Sequence, residues 1–306
     1  MHRRNVTWQR MAFLVVLACA APAAIGACPP TGWTRAELGA LKAADFRVET
    51  ADGRADLALG LLDCLGARDP VLRDGIAFEA WSTWLRAGEL DEPTRQAALD
   101  RLLPRIRPAA RDADAGFSAP FATLVVSEIA RSDRIAAWMT PARREQVIAA
   151  ATAYLASVRD YRGFDAREGW RHGVAHGADL MLQLALNPAL DKAQLDRVFS
   201  AVASQVAPVG HAYVYGEPDR LARPILYGAL RGLHTGAEWS AWFEALSGPG
   251  TAANWRDAME TPAGLTRRHD LRAFLLAIYA GIADDTRPEL VAMRPAVLAA
   301  LERVPS

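Results

Sequence analysis

Residues 168–186 read EGWRHGVAHGADLMLQLAL, and their spacing decides the fold class. Apolar side chains return after three and four residues rather than two, which is the period of a helix and not of a strand. The pattern predicts a helix over 169–186. At about 100° per residue, His172, His176, Asp179, Gln183 and, if the helix reaches back that far, Glu168 share one stripe about 80° wide. Trp170, Val174, Met181 and Ala185 lie opposite. The stripe holds no Lys or Arg, so it does not read as an ordinary solvated face.

The same period recurs on both sides. Further helices are predicted over 35–44, 54–65, 70–87, 92–106, 117–131, 141–158, 191–206, 218–232, 237–246, 267–282 and 288–303. Thr34 precedes a helical opening. Asp69-Pro70 and Thr140-Pro141 each set a cap residue before Pro at a first helical position, and Glu217-Pro218 is a weaker case. Gly66, Gly88, Gly232 and Asn187-Pro188 are stop signals. Only 46–50 (FRVET) and 211–215 (HAYVY) suit an extended chain, and neither has a hairpin partner. The expectation is an all-α fold, an array of antiparallel helix pairs in a HEAT-like solenoid, with a closed α/α toroid as the alternative. No linker stands out, so residues 28–306 read as a single α-helical domain.

The 306 residues carry 35 basic and 35 acidic side chains, with 51% hydrophobic and 23% charged residues. This is globular composition, and the balanced charge gives no support for nucleic-acid binding. Residues 1–27 stand apart. Arg3, Arg4 and Arg10 precede the apolar, small-residue run MAFLVVLACAAPAAIGA, the layout of a secretory signal peptide. Removing it leaves 32 basic against 35 acidic side chains, a net charge of −3. The expected location is therefore outside the cytoplasm: periplasmic, membrane-anchored or secreted. Ile25-Gly26-Ala27 before Cys28 has the form of a lipoprotein signal, in which Cys28 carries the lipid and supplies the only membrane contact. The competing fate of Cys28 is a disulfide with Cys64, which an oxidising compartment permits.

Phosphate loops, dinucleotide fingerprints, Cys-x-x-Cys, Gly-x-Ser-x-Gly and His-Glu-x-x-His are all missing. The stripe is the one chemical constellation. His172 and His176, at i and i+4, can share a metal ion such as zinc, and Asp179 one turn on completes a three-ligand set. Glu217, Asp219 and His211 are candidate outside ligands. His172, His176 and Asp179 also serve as catalytic candidates, with His172 or His176 as acid/base and Tyr213 or Tyr215 assisting. Trp170, His211, Tyr213, Asp219 and Arg220 are candidate ligand-binding residues. The alternative is a hydrogen-bonded polar seam in which His176 pairs with Asp179. Trp81 with Trp84, and Trp239 with Trp242, at i and i+3, read as core pairs, although Trp platforms also bind sugars.

Three segments carry a resemblance: Asp69-Pro70-Val71-Leu72-Arg73-Asp74 ahead of a helix holding Trp84, Gly169 to Leu180, and Glu217 to Ala222. Together they resemble the bacterial domain-of-unknown-function family 2785, over about 55–300. The resemblance implies a helical fold and marks the His stretch as a family signature, without supplying a reaction. The functional expectation is an exported helical repeat protein. It binds a peptide, protein or envelope component along a groove holding His172, His176, Asp179 and Arg220. The alternatives are a hydrolase or lyase on the same residues, and a structural envelope lipoprotein without a site.

Overall fold

The structure is a computed structural model that describes residues 27–108 and 116–306. The signal peptide expected over 1–27 lies outside the described residues, apart from Ala27. Helix α1 (Arg35–Ala43) starts at a capping box between Thr34 and Glu37. Helix α2 (Ala51–Leu61) is capped by Thr50 and tightens into a 3₁₀ turn, Leu62–Gly66. Asp69 caps α3 (Pro70–Leu72), which runs through a π-helical stretch, Arg73–Phe78, into α4 (Glu79–Ala87). The expected helix over 70–87 is therefore present with one wide turn inside it, and Gly88, at φ 72°, ends it. Helices α5 (Glu92–Leu102), α6 (Ser118–Ile135) and α7 (Pro141–Ser157) follow. A two-stranded hairpin, β1 (Phe164–Asp165) and β2 (Gly169–Trp170), leads into α8 (Gly173–Ala185). The remainder is α9 (Lys192–Val206), α10 (Glu217–Ala229), α11 (Gly236–Leu246), α12 (Trp255–Met259), α13 (Pro262–Ile282) and α14 (Pro288–Arg303).

The fold is all-α, and the differences from expectation are local. The helix expected over 169–186 begins at Gly173, because residues before it are a hairpin. Asp165 Oδ1 accepts the N–H groups of Arg167 and Glu168 at 2.8 and 2.9 Å, and Gly169 sits at φ 76°. An Asx turn and a left-handed Gly make a turn there, not a helical start. Neither 46–50 nor 211–215 forms a strand. In the second, carboxylates take the backbone donors: Asp270 accepts Tyr213 N–H at 2.9 Å and Glu217 accepts Tyr215 N–H at 3.0 Å. Helix α10 opens at Gly216 without a side-chain cap.

Helices α6, α8, α10 and α13 pack one on the next, while α7 pairs with α9 and α11 with α14. The bonds between them fix direction. His176 in the first turn of α8 reaches Pro120 in the first turn of α6. At the other end, Asn187 past α8 reaches Asp133 of α6, and Arg231 past α10 reaches Ala185 and Asn187. Helices α6, α8 and α10 therefore run parallel, with their N-termini together. Trp81 and Trp84 are core, as expected, and their indole N–H groups donate to the Ala58 and Phe46 carbonyls at 2.8 Å each. Trp239 is also core, whereas Trp242 is half-buried.

Cys28 and Cys64 form a disulfide, with Cα atoms 5.0 Å apart. A sulfur so engaged cannot carry a thioether-linked lipid, so the lipidated form of Cys28 is not the one this structure holds. Among the described residues, no helix is long and apolar enough to cross a membrane.

Candidate functional site

The N-terminal end of α6, α8 and α10 collects the polar chemistry. Arg73 stands on the π-helical stretch, fully buried. Such stretches recur at functional sites because the wide turn re-aims side chains. Its guanidinium pairs with Asp74 at 2.6 Å and donates to the carbonyls of Ala67 and Glu168 at 2.9 and 2.7 Å. It lies over the ring of Phe117, 4.0 Å from the centroid, and the Arg171 guanidinium lies over the same ring at 4.3 Å. Arg171 is also buried and pairs with Glu168 at 2.6 Å. Two guanidiniums thus meet one aromatic ring, each beside its own carboxylate. Burial, opposed by Asp74, pulls the Arg73 pKa down, and burial pushes the Asp74 carboxyl up against the pull of Arg73.

His172 is the N-cap of α8 at φ 53°, a left-handed conformation uncommon for a non-glycine residue. Its ring stacks on Trp170, with centroids 4.0 Å apart and planes within 7°. Burial, then the charge of Arg220, lowers its pKa to about 4. His176 is buried one turn on, edge-on to Phe121. Its Nδ1 lies 3.2 Å from the Pro120 carbonyl. A carbonyl only accepts, so Nδ1 carries the proton and Nε2 is bare. Burial, followed by the charges of His172 and Arg220, lowers its pKa to about 3. Both imidazoles are thus neutral at pH 7.

The expected metal set is not assembled. Asp179 takes Arg220 Nη2 at 2.7 Å, and His176 is committed to Pro120. Among the described residues, no group of three or more His, Cys, Asp or Glu is arranged to hold a metal ion. His176 and Asp179 do not pair with each other either. Glu168 leaves the stripe, because the chain there is hairpin. Asp219 is exposed in the first turn of α10, where it complements the dipole. Tyr213 is buried, donates to the Gln205 carbonyl at 2.8 Å and has its pKa raised by burial. His211 stacks on Tyr161, centroids 4.7 Å apart. Trp170, His172, Tyr215, His211 and Arg220 share one end of the molecule.

The cavity at this end is not lined by the stripe itself. It has a volume of about 390 Å³ and lies among Ala119 and Pro120 of α6, Tyr154 and Ser157 of α7, Gly173 of α8 and the loop residues Val158, Arg159, Asp160, Arg162 and Arg171. Of the arginines that line it, Arg162 pairs with Asp160 and Arg171 with Glu168, and Arg159 donates to the carbonyls of Ala156 and Val158. Helix α8 opens into it at Gly173 with no side-chain cap, so the positive end of the helix dipole adds to the arginines. Sequence reasoning missed Arg73, Arg171, Phe117 and Asp270. No local signal marked Asp270, which stands among Arg267, Arg268, His269 and Arg272.

The depressed imidazoles set the acid response. The unfolded chain takes protons on His172 and His176 near pH 6.5, while the folded chain resists until about 4 and about 3. Stability is therefore lost as pH falls below 6.5. Asp270 acts in the opposite sense. Burial raises its pKa from 3.8 to about 6, so protonation below pH 6 favours the folded chain. Asp270 therefore offsets part of the stability that the two imidazoles lose between pH 6.5 and pH 4. Urea titrations across this range should show the slope, and His176→Gln should flatten it. An unchanged slope in that variant contradicts the assignment.

The family model described as "Protein of unknown function (DUF2785)" matches residues 102–280. No curated protein and no solved structure matches the chain. The matched segment contains Phe117, Arg171, the His172–Asp179 stripe, His211, Arg220 and Asp270, whereas Arg73 and Asp74 lie before it. Matched over more than half its length, on a segment that holds most of this site, the chain belongs to the DUF2785 family.

Proposed function

We propose that the chain is an exported binding protein that takes a small anionic ligand at the N-terminal end of α8. One observation carries the reading. Of eight buried side-chain N and O atoms without a hydrogen-bond partner among the described residues, four are His172 Nδ1, His211 Nε2, Arg220 Nε and Asp270 Oδ2. Native proteins pair nearly all such atoms. His172 directly precedes Gly173 at the first cavity, and His211 lines a second cavity that shares Arg159 with it, so these unmet groups gather where the cavities open. Arg159 and the uncapped helix end favour negative charge there. Export is supported by the signal-like residues 1–27 and by the Cys28–Cys64 disulfide, since disulfides persist in oxidising compartments.

Arg159 is the side chain to change. It is exposed, lines the cavity, and donates to the backbone carbonyls of Ala156 and Val158 rather than to a carboxylate. Calorimetric titration of residues 28–306 with acetate and with inorganic phosphate is expected to show binding. Arg159→Gln should weaken it by roughly tenfold, the loss of one charge-assisted hydrogen bond. No heat with either anion, or equal affinity in the variant, contradicts the proposal.

A further inference from the structure

The second cavity, about 570 Å³, has the size of a small-molecule site. One side of it is aromatic, with Tyr161, Phe164 and Tyr215 in its wall. Phe164 and Tyr215 stay 52% and 41% exposed, and Val214 beside them 72%. Apolar surface left in water at a cavity mouth is surface that a ligand can cover. The placement of Tyr215 is built in. A Cβ at Gly163 would come 2.1, 2.3 and 2.6 Å from three carbons of its ring, so the ring lies directly over that glycine. Trp170 meets the same ring edge-on at 5.6 Å. The surface that Tyr215 leaves in water thus belongs to a ring held by the glycine beneath it and the indole beside it.

The charges around this wall cancel. Arg162 pairs with Asp160, and Arg171 with Glu168. The two charged residues left in the lining, Arg159 and Asp165, are of opposite sign. Asp165 is exposed and accepts the N–H groups of Arg167 and Glu168 through Oδ1 alone. Its Oδ2 makes no hydrogen bond among the described residues. Net charge therefore selects neither an anion nor a cation here. The wall offers a fixed ring for an apolar face, and beside it a carboxylate oxygen that only accepts. A ligand that suits both has C–H groups on its face and hydroxyls on its rim.

We infer that the second cavity binds a neutral pyranose sugar. The C–H face of the sugar ring packs on Tyr215, and a hydroxyl on its rim donates to Asp165 Oδ2. A hydroxyl both donates and accepts, so it meets an exposed carboxylate without stranding a second charge. An open-chain polyol carries the same hydroxyls but has no face to lay on the ring. A carboxylate on the sugar adds repulsion from Asp165 and gains no unpaired cation in return. The inference goes beyond the anion reading and does not rest on it, because it uses neither Arg159 nor the N-terminus of α8.

Saturation-transfer NMR on residues 28–306 with methyl β-glucopyranoside, sorbitol and glucuronate tests this. The glucoside is expected to bind saturably, with transfer strongest at the C–H protons of its ring, and sorbitol roughly tenfold more weakly. Tyr215→Ala should weaken the glucoside by roughly tenfold, and Gly163→Ala should act in the same sense by displacing the ring. Tyr215 is exposed, so its truncation leaves the core intact. Asp165→Asn keeps an oxygen for the two turn N–H groups and replaces the acceptor Oδ2 by a donor, so it should cost several-fold in affinity without unmaking the hairpin. No transfer to the glucoside, sorbitol binding as tightly, an affinity that survives Tyr215→Ala, or glucuronate binding more tightly than the glucoside overturns the inference. Each of these results leaves the anion site to stand or fall on its own titration with acetate and phosphate.

Discussion

Replacing Asp133 by Ala is expected to lower the stability of the fold by about 3–5 kcal/mol, the largest effect of any single carboxylate here. Asp133 lies at the end of α6, 2% exposed. Its Oδ1 accepts the N–H groups of Trp138 and Met139 at 3.0 and 2.8 Å. Its Oδ2 accepts Arg144 Nε and Asn187 Nδ2 at 2.8 Å each. One side chain therefore ties together α6, the turn after it, α7 and the end of α8. Removing it strands the buried Arg144 guanidinium, which keeps only the Met139 carbonyl at 2.9 Å. Stranding a buried charge costs more than the pair contributed. The double variant Asp133→Ala with Arg144→Met should consequently be more stable than Asp133→Ala alone. Urea unfolding measures both, and a loss below about 1 kcal/mol in the single variant contradicts the network's role.

Opening the Cys28–Cys64 bridge has the second large effect. The bond closes a segment of 36 residues. A crosslink over that span restricts the unfolded chain and contributes about 4 kcal/mol in the chain-entropy model. Cys64 is fully buried in the core beside Leu61, Leu62 and Leu65. Cys28→Ser tests the crosslink without cutting into that core. Its urea midpoint should drop, and reductant should lower the wild-type midpoint to the same value while leaving the variant unchanged. A wild-type midpoint insensitive to reductant means that the bond is not formed in the protein as isolated.

Much of this architecture was legible in the sequence, because helix periodicity and capping are local. Thr34, Asp69 and Thr140 each cap the helix expected of them, and Gly88 stops α4. The hairpin at 164–170 was not legible. Its strands are two residues each, and the Asx turn at Asp165 competes with a continuous helical pattern from 169 onward. That miss moved His172 from the middle of a stripe to a strained N-cap. The sequence pointed to His172, His176 and Asp179 but not to their partners. Arg220 reaches Asp179 from 41 residues away and Pro120 reaches His176 from 56. Such pairings depend on which helices stack, which periodicity leaves open. Arg73 and Arg171 were hidden for a related reason. An arginine reads as surface until the ring beneath it is known, and Phe117 lies far from both in the chain. Asp270 stands among charged neighbours in α13, and its acceptor role depends on a loop 57 residues earlier.

The claim that an anion binds where α8 begins is tested most directly by a ¹H–¹⁵N spectrum of residues 28–306 during titration with inorganic phosphate. The account predicts saturable shifts at Arg171, His172 and Gly173, with the amides of Asp133, Trp138 and Asn187 at the opposite end of the helices unmoved. A spectrum without saturable change, or one whose changes fall elsewhere on the surface, contradicts it.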